Sequence, residues 1–226
     1  MMRPAVCKAV MLDLDGTLLH TAPDLAAAVN AMLGELGRPV LAESVVAGFV
    51  GKGAENLIHR SLTGSLTDRA DAALFEQAYD SFTRHYDRIN GQQSAFYDGV
   101  LDGLDHMARM GLQLAVVTNK PSRYTLPLLE RSGLAHRFAV VVSGDTCERK
   151  KPDALPILHA CRQMGVQPEQ ALMIGDSHND AQAAKAAGSL CWLLPYGYNE
   201  GKPILQTPCD GYIETLAHAA TLLGAA

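Results

Sequence analysis

The chain has 226 residues, 48% of them hydrophobic, which is enough apolar side chain for a full core and suits one large domain or a domain carrying an insert. Its formal net charge of -5 offers no basic field to a nucleic-acid backbone, and no run of Lys and Arg makes a local one, so nucleic acid is not expected as a partner. Cys7, Cys147, Cys161, Cys191 and Cys209 are odd in number and scattered, which suggests neither a disulfide framework nor a zinc site and fits a reducing, cytoplasmic setting. The apolar stretch over residues 5–19 is broken by Lys8, Asp13 and Asp15, so neither a membrane span nor a signal peptide is expected there.

In chain order, the first apolar run, residues 6–14, reads as a buried strand that ends in Asp13-Leu14-Asp15-Gly16-Thr17. Alternation along an extended strand points Asp13 and Asp15 to one side, where paired acids suit a hard cation or a nucleophile with its proton donor. An Asp-Gly turn is the plainer reading of the same residues. Residues 20–95 then break the rhythm with helical patterns only. They read as an inserted cap domain, dividing a core of residues 1–19 and 96–226. The first cap helix is expected to start near Pro23 and Asp24 with Thr21 as its cap, and to end near Gly37. Residues 19–22 and 94–97 would be hinges. Gly51-Lys52-Gly53 fails both the Walker and the dinucleotide patterns, and reads either as an ordinary turn or as a flexible contact loop whose Lys52 meets a substrate carboxylate.

Beyond the insert, amphipathic stretches that stop at Gly111, Gly133 and Gly188 alternate with apolar runs at residues 112–118, 138–143, 171–174 and 190–194. That alternation predicts an α/β fold, a doubly wound Rossmann-like parallel sheet, with ligands bound beyond the carboxyl ends of its strands. Thr118-Asn119-Lys120-Pro121 closes the second core strand and opens a helix, placing a hydroxyl and free backbone N–H groups where phosphate binds well. Lys151 precedes a further helix and would set a fixed charge beside a transferred group; a solvated lysine is the alternative. Asp176 and Asp180, in Gly175-Asp176-Ser177-His178-Asn179-Asp180, bring more acid to a strand end. Asp180 also fits a helix's first turn, where the macrodipole favours an acid. Carboxylates gathered at strand ends repel unless a cation compensates them, and all-oxygen ligation points to Mg²⁺.

These four segments, in this order, resemble the motifs of the haloacid dehalogenase superfamily of phosphotransferases, and the resemblance spans nearly the whole chain. Finer similarity, in residues 21–25, 117–121, 175–188 and 196–199, is to bacterial phosphoglycolate phosphatases. His20 and Ala154 depart from those enzymes, which often carry Asp and Pro there. The resemblance implies a Mg²⁺-dependent phosphatase acting on a small phosphorylated metabolite. Asp13 would attack phosphorus and form an aspartyl phosphate, and Asp15 would protonate the leaving alcohol and then activate water. Mg²⁺ would be held by Asp13, the Asp15 backbone carbonyl and Asp176, with Asp180 reaching it through water. Thr118, Asn119 and Lys151 would hold the phosphoryl oxygens. Sugar-phosphate phosphatases and phosphosugar mutases share this chemistry, whereas a dehalogenase would lack an acid at position 15. A phosphoacceptor signalling module groups similar residues but needs neither an insert nor Asp15. The sequence leaves monomer or homodimer undetermined.

Overall fold

The computed structural model describes residues 6–224; residues 1–5 and 225–226, the outer ends of the expected core, lie outside the described residues. The first apolar run forms β1 (Ala9–Leu12), followed by the short strand β2 (Leu19–His20). Four helices come next: α1 (Ala22–Glu35), α2 (Glu43–Ala47), α3 (Ala54–Thr63) and α4 (Ala72–Ile89). The chain returns through β3 (Ala95–Phe96), which pairs antiparallel with β2. This two-stranded ribbon closes the helical insert at its neck, on segments that the sequence marks as hinges.

From there helix and strand alternate: α5 (Val100–Arg109), β4 (Gln113–Val117), α6 (Ser122–Arg131), β5 (Val140–Val142), α7 (Leu155–Met164), β6 (Ala171–Gly175), α8 (His178–Ala187), β7 (Leu190–Leu193), β8 (Gly211–Tyr212) and α9 (Leu216–Gly224). Six strands make one parallel sheet in the order β5-β4-β1-β6-β7-β8, with Leu12 of β1 level with Val116 on one side and Ile174 on the other. The expected α/β Rossmann-like core is thus present, with β8 as a sixth strand beyond the five that apolar runs indicate.

Alternate residues of β1 feed opposite faces. Val10 and Leu12 join Val100, Leu104, Leu128 and Leu216 from α5, α6 and α9, whereas Ala9 and Met11 join Ile157, Ala160 and Ala184 from α7 and α8. Both faces are dry, which is why the strands read as unbroken apolar runs. The insert has its own core, built on Met32, Leu33, Ile58, Phe82 and Tyr86. Two aromatics from the sheet half, Tyr124 and Tyr198, are packed into it, so the insert is seated on the carboxyl ends of the strands. No helix among the described residues is long and apolar enough to cross a membrane.

Candidate active site

Because β1 lies between β4 and β6, the residues just past these three strands share one mouth. Asp13 extends the ladder by donating its N–H to the Ile174 carbonyl at 3.0 Å, and its Oδ1 accepts the N–H of Leu14 at 2.7 Å. Gly16, at φ +87°, then turns the chain, and a side chain there would overlap the carboxylate of Asp176. Gly197 approaches the same carboxylate from the loop after β7, again leaving no room for a Cβ.

Asp13, Asp176 and Asp180 each offer an oxygen within 4.8 Å of the others. Burial pushes the Asp13 carboxyl up to about 6 in spite of Lys151, with Asp180 and Asp15 adding to the rise. Burial, and then Asp13 and Asp180, drive Asp176 well above the usual carboxylate range, although Thr17 Oγ1 donates to it at 2.9 Å and the Tyr198 N–H also donates. Lys151 answers part of this charge, with Nζ 3.1 Å from Asp13, 2.5 Å from Asp180 and 2.6 Å from the Val117 carbonyl. Burial works against its charge, but Asp13 and Asp180 outweigh that and hold its ammonium above the ordinary lysine value. One lysine against three acids, two of them buried and the third largely so, leaves negative charge uncompensated, and the donors are all oxygen. The residues therefore fit a hard divalent cation.

Asp180 has no free oxygen: Oδ1 faces Lys151, while Oδ2 accepts the Ser177 N–H at 3.1 Å and Oγ at 2.7 Å in the capping box of α8. It serves both of the readings that its sequence position allows, as helix cap and as member of the acidic cluster. On the other side of the mouth Asp15 faces Lys120, whose Nζ lies 3.0 and 3.3 Å from its two oxygens and 2.6 Å from the Tyr86 hydroxyl on α4.

The remaining candidates divide. Thr118 lines the recess between sheet and insert, with Oγ1 accepting the Lys120 N–H at 3.2 Å. Asn119 lines it as well, but its Nδ2 is already used on the carbonyls of Gly51 and Lys151, both at 2.9 Å. Lys52 is not among the lining residues. Its Nζ stands 3.5 Å from Glu200, a buried acid that also takes Arg60 at 2.5 Å. The sequence reading missed Lys120 as a site group, along with Thr17, Tyr86, Tyr198 and Glu200. Lys120, Thr17 and Tyr198 lie inside tracts already singled out, whereas Tyr86 and Glu200 carry no pattern that marks them.

Acids and lysines at the carboxyl ends of a parallel sheet, under a helical insert, define a phosphotransferase-like or hydrolase-like α/β site. The family model of haloacid dehalogenase-like hydrolases matches residues 10–192, and the chain belongs to that family. It is 46% identical over 220 residues to the phosphoglycolate phosphatase of Thiobacillus denitrificans, covering 97% of each chain, and 47% identical over 220 residues to that of Nitrosospira multiformis, again covering 97% of each. The crystal structure of a predicted phosphoglycolate phosphatase from Haemophilus somnus superposes with a TM-score of 0.90 at 32% identity, covering 96% of this chain and 97% of that one.

Proposed function

We propose that this hydrolase is a cytoplasmic, Mg²⁺-dependent phosphatase that converts 2-phosphoglycolate to glycolate and phosphate through a phosphorylated Asp13. The observation that carries the reading is the division of labour at the mouth: Asp13 is held by Lys151 at 3.1 Å, and Asp15 is held apart from it by Lys120 at 3.0 Å. One acid is thereby placed to attack and the other to move protons.

The Asp13 carboxylate attacks phosphorus, the P–O ester bond breaks, and Asp15 gives its proton to the departing alkoxide. Asp15 then takes a proton from water as that water attacks the phosphoryl group on Asp13, releasing phosphate and restoring both side chains. Lys151 and Thr118 hold the phosphoryl oxygens, and the loss of one such fixed donor costs about 3 kcal/mol in the transition state. Asn119 fixes the Gly51 and Lys151 backbones around that position. Asp13, the Asp15 carbonyl and Asp176 would hold Mg²⁺, with Asp180 acting from behind; the ion supplies positive charge for the oxygens of the transferring group. Residues 20–95 act as a cap that keeps bulk water from the mouth, since Leu25, Val50, Leu57 and Phe82 of the insert line the recess.

The names of the relatives at 46% and 47% identity support phosphoglycolate as substrate. The test is phosphate release from 2-phosphoglycolate, several sugar phosphates and an aryl phosphate, each with Mg²⁺ and with EDTA. Fastest turnover of phosphoglycolate, abolished by EDTA, is expected. Preference for a sugar phosphate would reject the substrate, and turnover unaffected by EDTA would reject the metal.

A further inference from the structure

The recess between sheet and insert, about 470 Å³ counting its open mouth, has two chemically different ends. The phosphoryl end is marked by Asp13 and Thr118, with Lys151 behind Asp13 and outside the lining. The other end begins at Asp15, which in the proposed reaction hands its proton to the ester oxygen, so whatever the leaving group carries lies beyond Asp15. Among the residues lining the recess Lys120 is the single cation, and its Nζ is 3.0 Å from Asp15 on that side.

We propose that Lys120, supported by the Tyr86 hydroxyl, is the specificity group that receives the carboxylate of the substrate. This rests on the phosphatase reading and on Asp15 as proton donor.

Lys120 is preorganised for the task. It is 5% exposed, its ammonium donates to Tyr86 Oη at 2.6 Å, and it lies 4.9 Å from the centre of the same ring. Its conformational entropy is already lost before substrate arrives, so the charge acts without further ordering cost. An ammonium carries three protons, which here meet Tyr86 and the two Asp15 oxygens; the longest of these contacts, 3.3 Å to Asp15 Oδ2, is the one an entering carboxylate would replace. The Tyr86 hydroxyl accepts from Lys120, which leaves its own proton to donate to the same anion. The walls beside this point, Leu25, Val50, Leu57 and Phe82, are apolar, so an entering carboxylate meets no competing cation and would be stranded without Lys120. Lys52, which the sequence offers for this role, is turned to Glu200 instead. Because Tyr86 belongs to α4 and Lys120 to the segment before α6, the subsite is complete only with the insert seated over the sheet.

A purely structural strut between the two halves would show the same contacts, so the test must separate recognition from support. Lys120→Met keeps the stem and removes the charge, Lys120→Arg keeps the charge, and Tyr86→Phe keeps the ring and removes the hydroxyl. Each is assayed on 2-phosphoglycolate and on 2-hydroxyethyl phosphate, which replaces the carboxylate by a neutral group of similar reach. In Lys120→Met, kcat/KM for phosphoglycolate is expected to fall ~100-fold further than kcat/KM for the neutral ester, mainly through KM. Lys120→Arg should restore part of that preference. Tyr86→Phe should lower it about 5-fold, and carries the test if Lys120→Met fails to fold. Equal losses on both esters in every folded variant would overturn the proposal and leave Lys120 a strut, with the phosphatase reading intact. A wild-type protein that hydrolyses the neutral ester but not phosphoglycolate would overturn both the substrate and Lys120's role.

Discussion

Asp13 sits where its charge is unwelcome: burial pushes its carboxyl up to about 6, against Lys151 and the Leu14 N–H, which favour ionisation. The proposed nucleophilic role and the fold therefore pull in opposite directions at this residue. Asp13→Asn removes the attacking oxygen while relieving a desolvated charge, and Lys151 keeps Asp180 and the Val117 carbonyl as partners. Turnover should vanish, and the thermal midpoint in EDTA should not fall; phosphate release and calorimetry check the two halves, and clear residual hydrolysis would remove Asp13 from the role. Gly197→Ala acts on the neighbouring acid through space alone, since its Cβ would overlap the Asp176 carboxylate. It should cost ~1–3 kcal/mol of stability and most of the phosphatase rate, measured by denaturant titration and phosphate release. The acids of this site were legible in the sequence because each stands just past an apolar run. Lys151, which faces two of them, was also singled out, but other partners were not: Lys120 lies 105 residues from Asp15, and Tyr198 lies 22 from Asp176, on another strand's loop. Such pairs are set by strand order, which no local pattern encodes.

At the scale of elements, the neck of the insert depends on Asp24. Fully buried at the start of α1, it accepts the N–H groups of Gly91, Gln93 and Ser94 at 2.8–3.0 Å and the Ser94 hydroxyl at 2.5 Å, so it binds the outgoing helix to the returning chain. Asp24→Ala strands those donors and should cost about 3 kcal/mol, read from chemical denaturation, with protease sensitivity rising near residue 92. The sequence gives Asp24 only its helix-start role and assigns the cap to Thr21. The structure corrects that assignment: Thr21 makes no side-chain cap, and the N–H groups of Thr21 and Ala22 donate to the Tyr198 hydroxyl at 3.0 and 2.9 Å. The helix start is instead fixed by a phenol from a distant loop, which local chemistry cannot foresee. Strand β8 escaped for a different reason, since two residues, Gly211 and Tyr212, carry no period. At the far end of α1, Glu35 takes Ser81, Arg84 and His85 of α4. The Ser81 hydrogen bond first, then His85 and Arg84, pull its carboxyl down to about 2 from 4.5. A depressed folded value means a contribution fully present above pH 4.5 and lost as pH falls towards about 2. Glu35→Gln should therefore narrow its stability gap to wild type across that window in a pH series of denaturant melts; a constant gap would refute the linkage.

For the whole molecule, the question is what holds the insert down on the sheet. Arg60 of α3 is 2% exposed, donates to the carbonyls of Phe49 and Leu66, and meets Glu200 at 2.5 Å from the loop after β7. Glu200 also faces Lys52 at 3.5 Å and Lys202 at 3.9 Å, so a single carboxylate collects cations from both halves. Burial raises its carboxyl, but Arg60 and Lys52 outweigh that and keep it below the ordinary range, so it stays ionised in the closed arrangement. Its backbone stands at φ +52°, a conformation that costs a residue with a Cβ ~1 kcal/mol and that the ion pairs must offset. Removing the acid leaves a guanidinium buried against two carbonyls with no counter-charge. Glu200→Ala should accordingly cost about 3–5 kcal/mol, whereas Arg60→Met combined with Glu200→Leu, which removes both charges, should recover most of it. If the pair also seats the insert, KM for every phosphate ester should rise in Glu200→Ala, because closure then draws on binding energy. A double-mutant cycle with an apparent coupling near zero would show that the two charges are independent, and that the insert is held by its other contacts with the sheet half, among them its apolar packing on Tyr124 and Tyr198.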